Sequence, residues 1–199
     1  MNTRTNCVSN LPVISTDMSR DNARTFRRAA AAVGFAVATA LAANVTVPLP
    51  GTPVPMTLQT LVVMLAGVTL GLRWGTLSMA FYVLLGTAGY HAFAGGSWGL
   101  MTVIGATGGY LFGFVLAQPI AGRIAQTPRH SFARLVVAVT LGDAVLFACG
   151  LIWLHAWTGE SWAQTFAWGL WPFLGGELIK IALAASLARV VGTRIRRWF

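Results

Sequence analysis

Two stretches of this chain, residues 29–72 and 74–122, contain no Asp, Glu, Lys or Arg. They run for 44 and 49 residues, and a third stretch, 135–188, holds four charges in 54. One membrane crossing takes about 20 apolar residues. Each stretch therefore accommodates two crossings and a short connection, and three such hairpins make six helices. Only 10% of the chain is charged, against roughly 25% in a soluble domain. Hydrophobic residues make up 56%, more than a soluble fold of 199 residues can keep from water. Disordered chains are polar and charge-rich, so that class is excluded as well.

The basic residues mark the turns. Arg20, Arg24, Arg27 and Arg28 precede the first gap, and Arg73 separates the first two. Arg123, Arg129 and Arg134 separate the second and third, and Arg189, Arg194, Arg196 and Arg197 end the chain. By the positive-inside rule, both termini and the loops after the second and fourth helices face the cytoplasm. The predicted fold is an all-α integral membrane protein with six transmembrane helices in a bacterial cytoplasmic membrane. The net charge of +9 follows from this rim of arginines. No basic face with interleaved aromatics is present, so nucleic acid is not an expected partner.

Residues 1–25 read as a disordered polar tail, 26–193 as the membrane domain and 194–199 as a basic tail. Predicted helices cover 26–47, 57–72, 76–89, 105–125, 133–155 and 166–191. In the first, Ala32, Ala36 and Ala40 share a face, which suits close helix packing, either inside the bundle or against a partner. Pro48, Pro50, Pro53 and Pro55 exclude helix between the first two spans and predict a stiff outer loop. The run from Gly105 to Gly109 enters a membrane helix and reads as a packing feature. Cys7 and Cys149 show no metal or disulfide spacing and read as free thiols. No metal or cofactor is expected.

Three charges fall inside predicted spans: Asp143, Glu177 and Lys180. A charge at that depth costs about 2.5–3.5 kcal/mol on insertion scales and usually faces a cavity or a partner. Glu177 and Lys180 are three apart on one helix face, and Lys180 is the sole lysine of the chain. A buried ion pair stabilises a core poorly, so the pair reads better as a polar patch in a ligand cavity. The carboxylate can accept from N–H groups, and the ammonium can donate to a carbonyl or carboxylate. A ligand with urea-like or amide groups would match. Asp143 serves either bundle packing or the ligand. Gln59 offers donor and acceptor at the outer mouth, and Tyr110 a hydroxyl on an aromatic body. Phe93, Trp98 and Trp171 read as cavity wall or as interfacial belt. The chain has no G-x-x-x-x-G-K-[ST] loop and is not expected to be its own ATPase.

Four motifs in register carry a family resemblance. They are Pro53-Val54-Pro55-Met56-Thr57-Leu58-Gln59-Thr60 followed by Leu65-Ala66-Gly67; Gly86-x-x-Gly89 followed by Phe93-Ala94-Gly95-Gly96; Gly105-x-Thr107-Gly108-Gly109-Tyr110-Leu111-x-Gly113-Phe114; and Pro172-Phe173 with Gly176-Glu177-x-x-Lys180. In this order the chain resembles the BioY family, biotin-binding S components of energy-coupling factor (ECF) transporters. The resemblance spans roughly 26–193. It implies a biotin pocket with Glu177 and Lys180 as its polar end. Aspartate is the family's usual residue at the first of these positions. It also implies pocket roles for Gln59, Tyr110, Thr57, Phe93, Trp98 and Ser97. Glu177 would accept from the ureido N–H groups of biotin and Lys180 would donate to its carbonyl, with the reverse pose as the alternative. The implied partners are a transmembrane coupling protein and ABC-type ATPase subunits, with Ala32, Ala36 and Ala40 as the docking face.

Competing readings are an S component for another vitamin, a membrane-embedded enzyme using Glu177 and Lys180 as acid and base, and a structural membrane protein with a buried ion pair. The Glu–Lys pair and Gln59 favour biotin, and no second catalytic constellation supports the enzyme.

Overall fold

The computed structural model describes residues 15–47, 49–126 and 131–198. The predicted tail up to residue 14, Cys7 within it, and Arg129 lie outside the described residues. The architecture is all-α apart from one two-residue ladder. Among the described helices, three are long and apolar enough to cross a membrane: Asp21–Ala43, Gln59–Thr87 and Phe132–Thr158.

Helix α1 runs Ser15–Ala43, so it begins well before the expected residue 26. Residues 15–25 contain neither Gly nor Pro, and nothing in them interrupts a helix that the apolar segment already propagates. After α1, strand β1 (Thr46–Val47) pairs antiparallel with β2 (Met56–Thr57). Thr46 lies opposite Thr57, and Val47 opposite Met56. The proline-rich segment is thus an excursion whose two ends are clasped together. The Thr52 hydroxyl ties its tip down by donating to the Trp168 carbonyl at 2.7 Å.

Helix α2, Gln59–Thr87, is broken at Gly71, where φ is 79° and ψ is −175°. Only glycine adopts that conformation without strain. The chain reverses there, because the Gln59 side chain reaches the Tyr82 hydroxyl. A Cβ on Gly75 would lie 3.3 Å from the Cα of Gly67. The arms 59–70 and 72–87 therefore lie side by side, as the charge gaps around Arg73 lead one to expect. A short 3₁₀ turn (Ala94–Gly96) and helix α3 (Leu100–Ile104) follow.

Helix α4 (Gly108–Ala125) packs on α5 (Phe132–Thr158) through its glycines. A Cβ on Gly109 would come within 2.6 Å of the Cys149 carbonyl oxygen, and one on Gly113 within 2.8 Å of that of Leu146. The backbones touch because the side chains are absent, so the glycine run is a packing seam.

The expected sixth helix is two helices. Helix α6 (Trp162–Gly169) ends before a turn over 170–173, and α7 runs Leu174–Trp198. Pro172 has no N–H and disfavours helix in the residue before it. Residues 194–198 continue α7 and do not form a separate tail.

The alanine face of α1 packs inward. Ala32 and Ala36 are buried in the core of this chain, and Ala40 packs against that core. Ser78 of the second α2 arm donates to the Ala32 carbonyl at 2.6 Å. These alanines therefore admit α2 at close range. Ala32 and Ala36 thus serve packing inside the bundle, the first of the two readings given for that face.

Candidate functional site

The Pro172 turn sets the start of α7. Glu177 falls in the first turn of that helix, where the positive end of the helix dipole favours a carboxylate. Lys180 follows one turn later. Their side chains are only 6% and 8% exposed, and Lys180 Nζ lies 2.6 Å from Glu177 Oε1.

The remaining donors of Lys180 are also committed. Nζ donates to the Thr57 carbonyl at 2.7 Å and to Thr60 Oγ1 at 3.0 Å. Thr60 in turn donates to Glu177 Oε1 at 3.0 Å. An ammonium has three N–H bonds, and here all three are used within the protein. Glu177 Oε1 accepts twice, while Oε2 has no hydrogen-bond partner among the described residues. The arrangement therefore presents one carboxylate oxygen as a free acceptor. Lys180 holds and neutralises the carboxylate and has no spare donor.

Gln59 starts α2 and is buried. Thr57 Oγ1 accepts from the Gln59 backbone N–H at 3.2 Å and donates to Gln59 Oε1 at 3.1 Å. Gln59 Nε2 donates to the Tyr82 hydroxyl, which donates onward to the Ala92 carbonyl at 3.1 Å. This chain of bonds joins both arms of α2 to the loop that carries Phe93.

The cavity above this network is lined by Thr57, Gln59, Thr60, Glu177 and Lys180 at its polar end. Phe93, Tyr110, Phe114, Phe147 and Phe173 line it elsewhere. Phe93 occupies the space beside Gly86, where a Cβ would lie 2.2 Å from its ring. Its ring meets Tyr82 edge-on at 5.7 Å. Tyr110 packs flat over Gly150, and its hydroxyl donates to the Gly169 carbonyl at 2.8 Å. That hydroxyl is committed to α6, so Tyr110 serves the site as wall. The free volume is about 60 Å³, well below the ~300 Å³ at the lower end of small-molecule pockets. A bicyclic ligand requires the lining to part.

Of the residues expected in the site, the structure gathers Glu177, Lys180, Gln59, Thr57, Phe93 and Tyr110 around the cavity. Trp98 is 54% exposed, lies tilted beside His91 and does not line it. Ser97 is spent on a turn, donating to the Ala94 carbonyl at 2.9 Å, and Trp171 is exposed. Asp143 is buried in α5 and does not line the cavity, and its Oδ1 has no partner among the described residues. Thr60, Tyr82, Phe114, Phe147 and Phe173 went unrecognised as site residues. Thr60 and Phe173 stand inside the quoted motifs, and Phe114 follows Tyr110 by four, the spacing of one helix face. Tyr82 and Phe147 carry no comparable local signal. No group of His, Cys, Asp and Glu suited to a metal occurs among the described residues.

Comparison with known proteins bears on this geometry. Residues 15–197 match the BioY family. The chain is 37% identical over 140 residues to the biotin transporter BioY of Thermotoga maritima, covering 70% of this chain and 82% of the relative. It is 33% identical over 147 residues to the biotin transporter BioY of Rhizobium etli, covering 70% and 78%. The fold resembles the crystal structure of an S-component for biotin from an ECF-type ABC transporter. The TM-score is 0.77 at 21% identity, over 93% of this chain and 95% of the other.

Proposed function

The chain belongs to the BioY family, and from that premise we propose how it takes up biotin. It is a membrane transport protein, not an enzyme. Biotin is captured in the cavity between α2, α4, α5 and α7, with its ureido ring at the polar end. Glu177 Oε2 accepts from ureido N–H, a charge-assisted bond of about 1.5–3 kcal/mol. Lys180 and Thr60 fix the carboxylate so that this oxygen faces the ligand. The thioether ring and valeryl chain lie among Phe93, Tyr110, Phe114, Phe147 and Phe173, where apolar burial contributes roughly 25 cal/mol per Å². The carboxylate of biotin points to the mouth under the proline-rich loop. Val54 and Pro55 of that loop line the cavity, so its outward movement supplies the missing volume.

Six crossings are assigned to α1, the two arms of α2, α4, α5 and α7. The chain lies in a bacterial cytoplasmic membrane, with both ends and the Arg73 turn facing the cytoplasm. A transmembrane coupling protein and ABC-type ATPase subunits energise it.

The observation that carries this reading is a buried Glu177–Lys180–Thr60 network, with one unfilled acceptor, at the head of an aromatic cavity. Uptake of labelled biotin tests it. Cells lacking their own biotin transporter would express this chain with the coupling protein and ATPases. Accumulation by wild type, lost in Glu177→Ala at equal membrane level, is expected. Accumulation of a different vitamin in place of biotin would overturn the assignment.

A further inference from the structure

At the opposite end of the bundle from the cavity, the α2 turn is pressed onto the end of α4. A Cβ on Gly122 would lie 2.4 Å from the Leu72 backbone nitrogen, and one on Gly71 would overlap the Gln126 amide. Beside this contact opens a cleft of about 620 Å³, lined by Arg28, Thr69, Arg73, Trp74 and Gln126 among others. Three separate elements supply these groups: α1, the α2 turn and α4.

Among the described residues, the lining holds two guanidinium groups and no carboxylate. Arg28 borders the first charge-free stretch, and Arg73 stands between the first and second. Both therefore stand at a membrane surface, and the half-buried Trp74 beside them is a residue type that favours that level. Guanidinium forks match phosphate oxygens two at a time, and an exposed glutamine amide adds a neutral donor. Concave basic sites between membrane helices suit anionic lipid headgroups. We propose that this cleft binds the phosphate of an anionic phospholipid. The lipid would brace the junction of α1, α2 and α4 from the face opposite the vitamin cavity.

The test uses the purified full chain in detergent. Lipid retention is read by native mass spectrometry, with phosphatidylglycerol, phosphatidylcholine and inorganic phosphate as separate probes. Each arginine near a lipid surface adds about fivefold to anionic-lipid affinity. Two give a preference of about 30-fold for phosphatidylglycerol over phosphatidylcholine. Arg73→Gln, at an exposed position, should cut that preference to about fivefold. Arg28→Gln should do the same, and biotin affinity should stay unchanged in both as a check on folding. Equal retention of the two lipids would overturn the proposal. So would a preference that survives Arg73→Gln, or inorganic phosphate that stabilises the protein against heat as well as phosphatidylglycerol does. Retention only of an acidic segment of the coupling protein would also overturn it, and would reassign the cleft to protein docking.

Discussion

Replacing Lys180 by Met keeps most of the side-chain volume and removes the charge. Three hydrogen bonds disappear with it, to Glu177 Oε1, to Thr60 Oγ1 and to the Thr57 carbonyl. Glu177 is then a carboxylate only 6% exposed, with Thr60 as its remaining donor. Breaking a buried pair from one side costs about 3–5 kcal/mol, chiefly because the other charge is orphaned. Without Lys180 the carboxylate is also no longer held with Oε2 toward the ligand, so its charge-assisted bond to ligand N–H is lost. That bond is worth about 1.5–3 kcal/mol, so biotin affinity should fall about 10- to 100-fold. Lys180→Met should therefore lower both thermal stability and affinity. The double variant Lys180→Met/Glu177→Gln removes the orphaned charge, so stability should recover most of the way to wild type while affinity stays low. Thermal unfolding and equilibrium biotin titration on the detergent-purified chain separate the two effects. A single variant that unfolds and binds like wild type would refute the pairing argument. A double variant as unstable as the single would show that the cost does not come from the orphaned charge.

Tyr82→Phe leaves the Gln59 amide and the Ala92 carbonyl without their shared partner. It should destabilise the protein by about 1–3 kcal/mol, read as a lower unfolding midpoint. Gly86→Ala places a methyl 2.2 Å from the Phe93 ring, so Phe93 must leave its position. Biotin titration should show weakened binding, and unchanged binding would mean that Phe93 is not part of the wall. Trp98→Ala removes an exposed ring that does not line the cavity and should change affinity by less than about twofold. A large loss would return Trp98 to the site.

The charge gaps were informative about chain reversals because a run of more than 40 uncharged residues is a signal too long to be blurred by local packing. They located the reversal at Gly71–Arg73 and the end of α4 near Arg123. They could not locate helix ends inside a gap. The break at Pro172 lies in an uninterrupted apolar run, and the part of α1 before residue 26 lies in a polar one. The β1–β2 clasp is two residues long on each side, below the length at which alternation is visible. In the site, Glu177 and Lys180 stood out because burying charge is costly. Thr60 did not, since a hydroxyl on a helix is commonplace until its two charged neighbours arrive from α7. Tyr82 matters through partners 23 residues away and on a following loop, contacts that no local pattern encodes. The alanines of α1 show the same limit. Their spacing establishes a smooth face, but whether α2 or another protein occupies it depends on how the helices rotate, and here α2 does.

The most direct test of the site is equilibrium titration of biotin into the purified wild-type chain alone, beside Glu177→Gln. This variant keeps the size of the side chain but removes the charged acceptor. Saturable one-site binding by wild type, weakened at least about tenfold in Glu177→Gln, is expected. Undiminished affinity in Glu177→Gln, or no binding by a folded wild type, would contradict the placement of biotin against Glu177.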